Sequence, residues 1–169
     1  MKKKPFFSVV IPTFNSEKTI LKTLWSVKKQ SFKNFQVIIV DDGSEDNTVF
    51  LIEKFISENN LDIKLFKIKN SGGPAAPRNL AIKNSGGDWI CFLDSDDYWF
   101  SNKLQDANYF LTHNYNETDV LCSNEIMIYK KKKIRLIYGP ETKNFYMNLL
   151  KNGNKLSTSA TIVKKNFLK

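Results

Sequence analysis

Asp94-Ser95-Asp96-Asp97 places three carboxylates within four positions, directly after the apolar run Trp89-Ile90-Cys91-Phe92-Leu93. Carboxylates crowded in this way repel one another unless a cation or a dense set of donors sits among them. Hard divalent ions take oxygen ligands and the phosphates of a substrate, so one chemistry open to this turn is a metal holding a phosphorylated ligand. Asp and Ser are also the usual residues of turns and helix N-caps, and taken alone the stretch favours the metal reading only slightly over a connection. Two further polar turns follow apolar runs: Asp41-Asp42-Gly43-Ser44 after Phe35–Val40, and Pro12-Thr13-Phe14-Asn15 after Phe6–Ile11. A fourth stretch, Asn70-Ser71-Gly72-Gly73-Pro74-Ala75-Ala76-Pro77-Arg78-Asn79, has glycines that let backbone approach a ligand closely. Arg78 at the start of a helix could place a guanidinium on a phosphate; read structurally, it is a surface cation beside loop punctuation. No Gly-Lys-Ser/Thr follows, and the glycine spacing is not that of a dinucleotide fingerprint.

Positioning these turns requires a particular set of elements. The runs Phe6–Ile11, Phe35–Val40 and Trp89–Leu93 show no alternation of apolar and polar residues, which predicts strands buried on both faces. A helix from Asn15 or Ser16 to Lys29 carries Ile20, Leu24 and Val27 on one stripe. A second spans Thr48–Asn59 with Val49, Ile52 and Ile56. Ile63–Ile68 predicts a shorter strand and Pro77–Lys83 a short helix; a helix capped by Ser101 or Asn102 carries Leu104, Ala107 and Leu111. This β-α alternation predicts an α/β fold with a mainly parallel sheet, whose ligand crevice lies outside the carboxyl ends of the strands. The last third is less regular and predicts a smaller mixed or antiparallel addition. Its clearest piece is a hairpin of Ile126–Tyr129 and Ile134–Tyr138 with Lys130–Lys133 as a solvated tip.

The 169 residues, 41% of them hydrophobic, suffice for one structural domain. No apolar run reaches the length of a membrane span, and the N-terminus reads as strand rather than signal peptide. Cys91 and Cys122 sit in apolar stretches, where a free thiol acts as a small hydrophobe and a reduced, cytosolic setting fits. His113 is the single histidine and reads as a surface residue, which argues against histidine-based metal or nucleophile chemistry. The net charge of +9 is clustered in lysine runs, yet no zinc pattern, helix-turn-helix or aromatic RNA-binding signature accompanies it, so nucleic acid is not the expected partner.

Together, Val9-Val10-Ile11-Pro12-Thr13-Phe14-Asn15, Val40-Asp41-Asp42-Gly43-Ser44, Gly73-Pro74 through Arg78-Asn79, and Phe92-Leu93-Asp94-Ser95-Asp96-Asp97-Tyr98-Trp99 resemble the family 2 inverting glycosyltransferases. Pro77, where Ala commonly precedes the Arg-Asn pair, is a departure. The resemblance weakens after about Asp119. It implies the GT-A, Rossmann-like fold, with residues 1–118 as the donor-binding core and 119–169 as the start of an acceptor-side region.

The resemblance also implies roles. Pro12, Thr13 and Phe14 would line a nucleotide base, and Asp42 would accept from the base N–H, favouring uracil or thymine. Asn70 would contact the base and Glu17 the ribose. Arg78 would meet phosphate, and Ser95, within the Asp-X-Asp motif, would help bind the nucleotide sugar. Asp94 would hold the ribose hydroxyls or a metal-bound water, and Asp96 would ligate Mn²⁺ or Mg²⁺. Asp97 would cap a helix or touch ligand. The general base of similar proteins is an Asp or Glu beyond the segment resembling Ser157–Val163, and no acidic residue follows Glu141. The base is therefore expected past Lys169 in a longer enzyme, with Glu125 and Glu141 the candidates otherwise. The implied activity is transfer of a sugar from a nucleotide-diphosphate sugar, UDP foremost, to a glycan, lipid-linked or protein acceptor in surface polysaccharide synthesis. It would take place in the cytoplasm or at the cytoplasmic face of a membrane. Alternatives are a nucleotide-sugar-binding module without turnover and a sugar-1-phosphate nucleotidyltransferase, although Thr13-Phe14-Asn15-Ser16 lacks the glycine- and basic-rich signature of the latter.

Overall fold

A computed structural model describes residues 4–114, 117–130, 132–137 and 156–168. Strands β1 (Phe7–Thr13) and β2 (Phe35–Asp41) are buried at every position, as the unbroken apolar runs predict. Strand β3 (Ile63–Lys67) mixes half-buried and exposed positions and lies at the sheet edge. Strand β4 (Trp89–Phe92) completes a parallel set in the order β3-β2-β1-β4. The crossovers are α1 (Ile20–Lys28), α2 (Thr48–Glu58) and α3 (Ala75–Lys83). The winding reverses between β1 and β4, which is where an open α/β sheet forms its ligand crevice. Helix α4 (Lys103–His113) follows β4. Strand β8 (Thr161–Lys164) then pairs antiparallel with both β4 and β5 (Val120–Cys122), giving a six-stranded, mostly parallel sheet.

The two faces of the sheet are covered by different helices. Phe7, Val9 and Ile11 of β1 pack with Ile20, Leu24 and Val27 of α1, Ile52 and Phe55 of α2, and Leu104 and Leu111 of α4. Val10 points the other way and packs with Ile38, Val40, Ile90 and Ala81 of α3. The period-2 alternation of the strand thus supplies both cores from one run of residues.

Three boundaries differ from expectation. Helix α1 begins at Ile20 because Asn15 adopts a left-handed φ of 46°, which no helix continues, and the Ser16 carbonyl instead accepts from Thr19 and Ile20 N–H. Helix α3 begins at Ala75, with Pro74 as N-cap. Pro77 falls in the first turn, where its missing N–H breaks no helical hydrogen bond. The hairpin is β6 (Glu125–Tyr129) and β7 (Lys132–Leu136), so Lys132 and Lys133 lie in the ladder opposite Tyr129 and Ile128 rather than at the tip. Lys130 makes the turn with a φ of 46°. The remainder of the expected second hairpin strand, at Tyr138, lies outside the described residues. Among the described residues no helix is long and apolar enough to cross a membrane.

Candidate functional site

At the carboxyl ends of β1, β2 and β4 lies a cleft of about 450 Å³. Pro12, Thr13 and Phe14 form its floor at the end of β1, with Asp42 beside them and Asn70 opposite. The floor is set by backbone: Asp42 N–H donates to the Thr13 carbonyl at 2.8 Å. Gly43 has a φ of +77°, and a Cβ there would stand 2.8 Å from the Asn70 nitrogen, so only glycine lets the two loops close. Asp42 is 4% exposed, and both its carboxylate oxygens accept from Ser71, one from the N–H at 2.9 Å and one from the hydroxyl at 3.0 Å. A carboxylate has about four acceptor sites, so this leaves room for a further donor. Among the described residues, Thr13 Oγ1 and Arg78 Nε are buried polar atoms without a hydrogen-bond partner. Leaving such a group unpaired costs about 1–3 kcal/mol, and both residues line this cleft.

The acidic turn forms the opposite wall. Arg78 Nη2 donates to Asp94 Oδ1 at 2.6 Å, and Ser95 pairs its hydroxyl with that of Ser16 at 2.8 Å. Thr23 Oγ1, from α1, reaches the carbonyls of Ser95 and Asp97 at 2.9 and 2.7 Å. From the far side, Asp94 N–H donates to Ser159 Oγ at 3.0 Å, and Trp99 Nε1 donates to the Ser159 carbonyl at 3.0 Å. Desolvation raises the pKa of Asp97; the nearby Ser159 hydroxyl counters this, while Asp96, Asp94 and Glu125 add repulsion. Asp96 is exposed and lines this cleft and a neighbouring one. Among the described residues no three ligating side chains gather into a ready-made metal cage. An exposed carboxylate beside a second one suits an ion that completes its shell with water and substrate phosphate, so the donor set fits Mg²⁺ or Mn²⁺ held in that manner.

The cleft therefore brings together Pro12, Thr13, Phe14, Asp42, Asn70, Arg78, Asp94, Ser95 and Asp96. Glu17 is not in its lining. Its carboxylate accepts from the backbone N–H and side-chain amide of Asn47, at 3.2 and 3.1 Å, next to the start of α2. The positive end of that helix favours a carboxylate there.

The neighbouring cleft, of about 650 Å³, begins at Asp96 and runs between Tyr98, Phe100 and the hairpin residues Ile126–Ile128. Lys22, which sits 3.6 Å from the centre of the Tyr98 ring, Lys133 and Glu125 also line it. Lys103 at its base donates to the Ser123 hydroxyl, and burial lowers its pKa. Glu141, the other candidate base, lies outside the described residues. Sequence reasoning did not assign roles to Ser71, Ser159, Thr23 or this second cleft. Small hydroxyl residues carry no spacing signature, and the cleft joins segments far apart in the chain.

The sequence profile described as "Glycosyl transferase family 2" matches residues 8–163. The poly(ribitol-phosphate) beta-N-acetylglucosaminyltransferase TarS of Staphylococcus aureus is 43% identical over 114 residues, 66% of this chain and 20% of TarS. The UDP-Glc:alpha-D-GlcNAc-diphosphoundecaprenol beta-1,3-glucosyltransferase WfgD of Escherichia coli is 36% identical over 125 residues, 71% of this chain and 48% of WfgD. The structure of S. aureus TarS residues 1–349 with UDP-GlcNAc superposes with a TM-score of 0.79 at 33% identity, over 96% of this chain and 46% of that one. The chain thus spans a fifth to a half of the length of these relatives, and it shares the GT-A fold of the TarS structure.

Proposed function

Because the chain belongs to glycosyl transferase family 2, we propose that its first cleft binds the nucleoside diphosphate of a UDP-sugar and that the sugar passes, with inversion, to an acceptor hydroxyl entering from the second cleft. The observation that carries this reading is Asp96, which stands where the two clefts meet. Phe14, 47% exposed, offers an aromatic face to the base. Asp42, fixed by Ser71, accepts from a uracil N–H. Arg78 turns toward the diphosphate, where its unpartnered Nε gains an acceptor. Asp96, assisted by Asp94, would hold Mn²⁺ or Mg²⁺, which when bound supplies positive charge against the departing nucleoside diphosphate.

On the acceptor side, Tyr98 and Phe100 present exposed aromatic surface and Glu125 presents a carboxylate. An aromatic wall with polar groups between suits a carbohydrate, whose ring has an apolar face and hydroxyl edges. The acceptors in the relatives' names, a poly(ribitol phosphate) and a diphosphoundecaprenol-linked sugar, support a place in bacterial surface polysaccharide synthesis. The free thiols Cys91 and Cys122 agree with a reducing, cytoplasmic setting.

Calorimetric titration of the chain with UDP, with and without Mn²⁺, tests this reading. Binding that requires the ion and discriminates against CDP is the expected result; no UDP binding in the presence of Mn²⁺ would overturn it.

A further inference from the structure

We infer that Ser159 is a positioning residue for the donor cleft, acting through the acidic turn; the inference rests on the reading of that cleft as a UDP-sugar site. Ser159 lies in a short 3-10 turn, Thr158–Ala160, just before β8, and is 5% exposed. It is tied to the acidic turn by two hydrogen bonds. Its hydroxyl oxygen accepts from Asp94 N–H at 3.0 Å, across a separation of 65 residues. Its hydroxyl also stands near the Asp97 carboxylate. Its carbonyl accepts from Trp99 Nε1 at 3.0 Å. One serine can make both, since its hydroxyl oxygen and its carbonyl each accept.

Thr23 grips the same turn from the opposite side through the carbonyls of Ser95 and Asp97. The backbone carrying Asp94 and Asp96 is therefore held between α1 and the segment entering β8. Removing the Ser159 hydroxyl leaves the Asp94 amide without its partner. That change releases the turn, and with it the aim of Asp94 at Arg78 and of Asp96 at the junction of the clefts. The base-binding floor is built from β1, β2 and the loop after β3, none of which touches Ser159 by a hydrogen bond described above. The effect should fall on the diphosphate half of the ligand and spare the uridine half.

The test compares UDP binding by calorimetry with uridine binding by saturation-transfer NMR, both with Mn²⁺, for wild type, Ser159→Ala and Ser159→Thr. Ser159→Ala should weaken UDP at least tenfold while uridine changes less than twofold, and Ser159→Thr, which keeps a hydroxyl, should recover most of the loss. Should Ser159→Ala fail to fold, Ser159→Cys, close in size but a weaker hydrogen-bonding group, takes its place with the same two readouts. Equal UDP affinity in wild type and variant would overturn the inference, as would a parallel loss of UDP and uridine, which marks a general structural role. A wild-type chain that binds no UDP would instead refute the proposed function.

Discussion

The first cleft is walled by loops leaving strands β1, β2 and β4, whose side chains are almost wholly buried, and its key groups are cross-linked before any ligand arrives: Asp42 to Ser71, Asp94 to Arg78, Ser95 to Ser16. The second cleft shares Asp96, but its outer wall is a two-stranded ribbon in which Ile126, Met127, Ile128, Tyr129 and Ile134 are all exposed. Loops fixed by a buried sheet hold a constant geometry, as recognition of a nucleotide requires. A ribbon outside the main sheet can change sequence without disturbing the core, which suits the side of an enzyme that meets varied acceptors.

The sharpest way to break this contrast is at the shared residue. Asp96→Ala should lower Mn²⁺-dependent UDP affinity by more than the roughly 10–100-fold typical of an outer-shell partner, measured by calorimetry, while the circular dichroism spectrum stays that of the wild type. Unchanged affinity would remove Asp96 from the metal. Next in size is base choice. CDP lacks the N–H that Asp42 accepts, and a lost hydrogen bond to a charged group costs about 1.5–3 kcal/mol, or roughly ten- to a hundredfold. Equal UDP and CDP affinities would return Asp42 to a turn-forming role.

Substitutions in the ribbon should sharpen the division from the other side. In a sugar-transfer assay with a longer protein that includes this chain, Glu125→Gln should change the rate by less than about threefold, the outcome expected when the general base is a different residue. A loss of about 10²–10⁴-fold, the range for a missing general base, with UDP affinity intact, would assign that base to Glu125. Ile128→Ser should leave UDP affinity within about twofold, since a lone exposed apolar residue adds little to donor binding; a larger loss would show that the ribbon contributes to the first cleft.

The smallest effect concerns acid. Asp46 accepts from the N–H and hydroxyl of Thr48 and from Glu17 N–H, and although desolvation opposes them, these bonds hold its carboxyl below the usual carboxylate range. A lowered folded pKa stabilises above the unfolded value and is lost as pH falls through the folded one. Thermal midpoints of wild type should exceed those of Asp46→Asn at pH 6, and the difference should shrink at pH 3. A constant difference would mean the charge plays no part.

The parallel half of the fold was legible because its strands are unbroken apolar runs and its helices carry apolar stripes. The start of α1 was not, since Asn15 takes its left-handed conformation within a tertiary network in which its N–H donates to Ser44 and its amide oxygen accepts from Glu45. Nine of the expected residues line one cleft, and seven of them were legible because they sit at the ends of β1, β2 and β4, whereas Asn70 lies in the loop after β3 and Arg78 in α3. Glu17 went elsewhere because the N-terminus of α2, brought near by folding, competes for its carboxylate. Ser159 and Ser71 stayed invisible for a different reason: each matters through a partner far away in the chain or across a loop, and serine is common enough that its presence singles out nothing.

Strand β8 lies between β4 and β5 in the sheet, although β5 precedes it by about forty positions of sequence separation, as the Cys122–Thr161 contact records. During synthesis β5 therefore emerges with no strand to pair with, and must wait until residues 161–164 leave the ribosome. The loop closed by that event is long, so its entropic cost falls late in folding. The same event delivers Ser159 to the acidic turn. A nascent chain that has already joined β1, β2 and β4 still lacks this tie on the acidic turn.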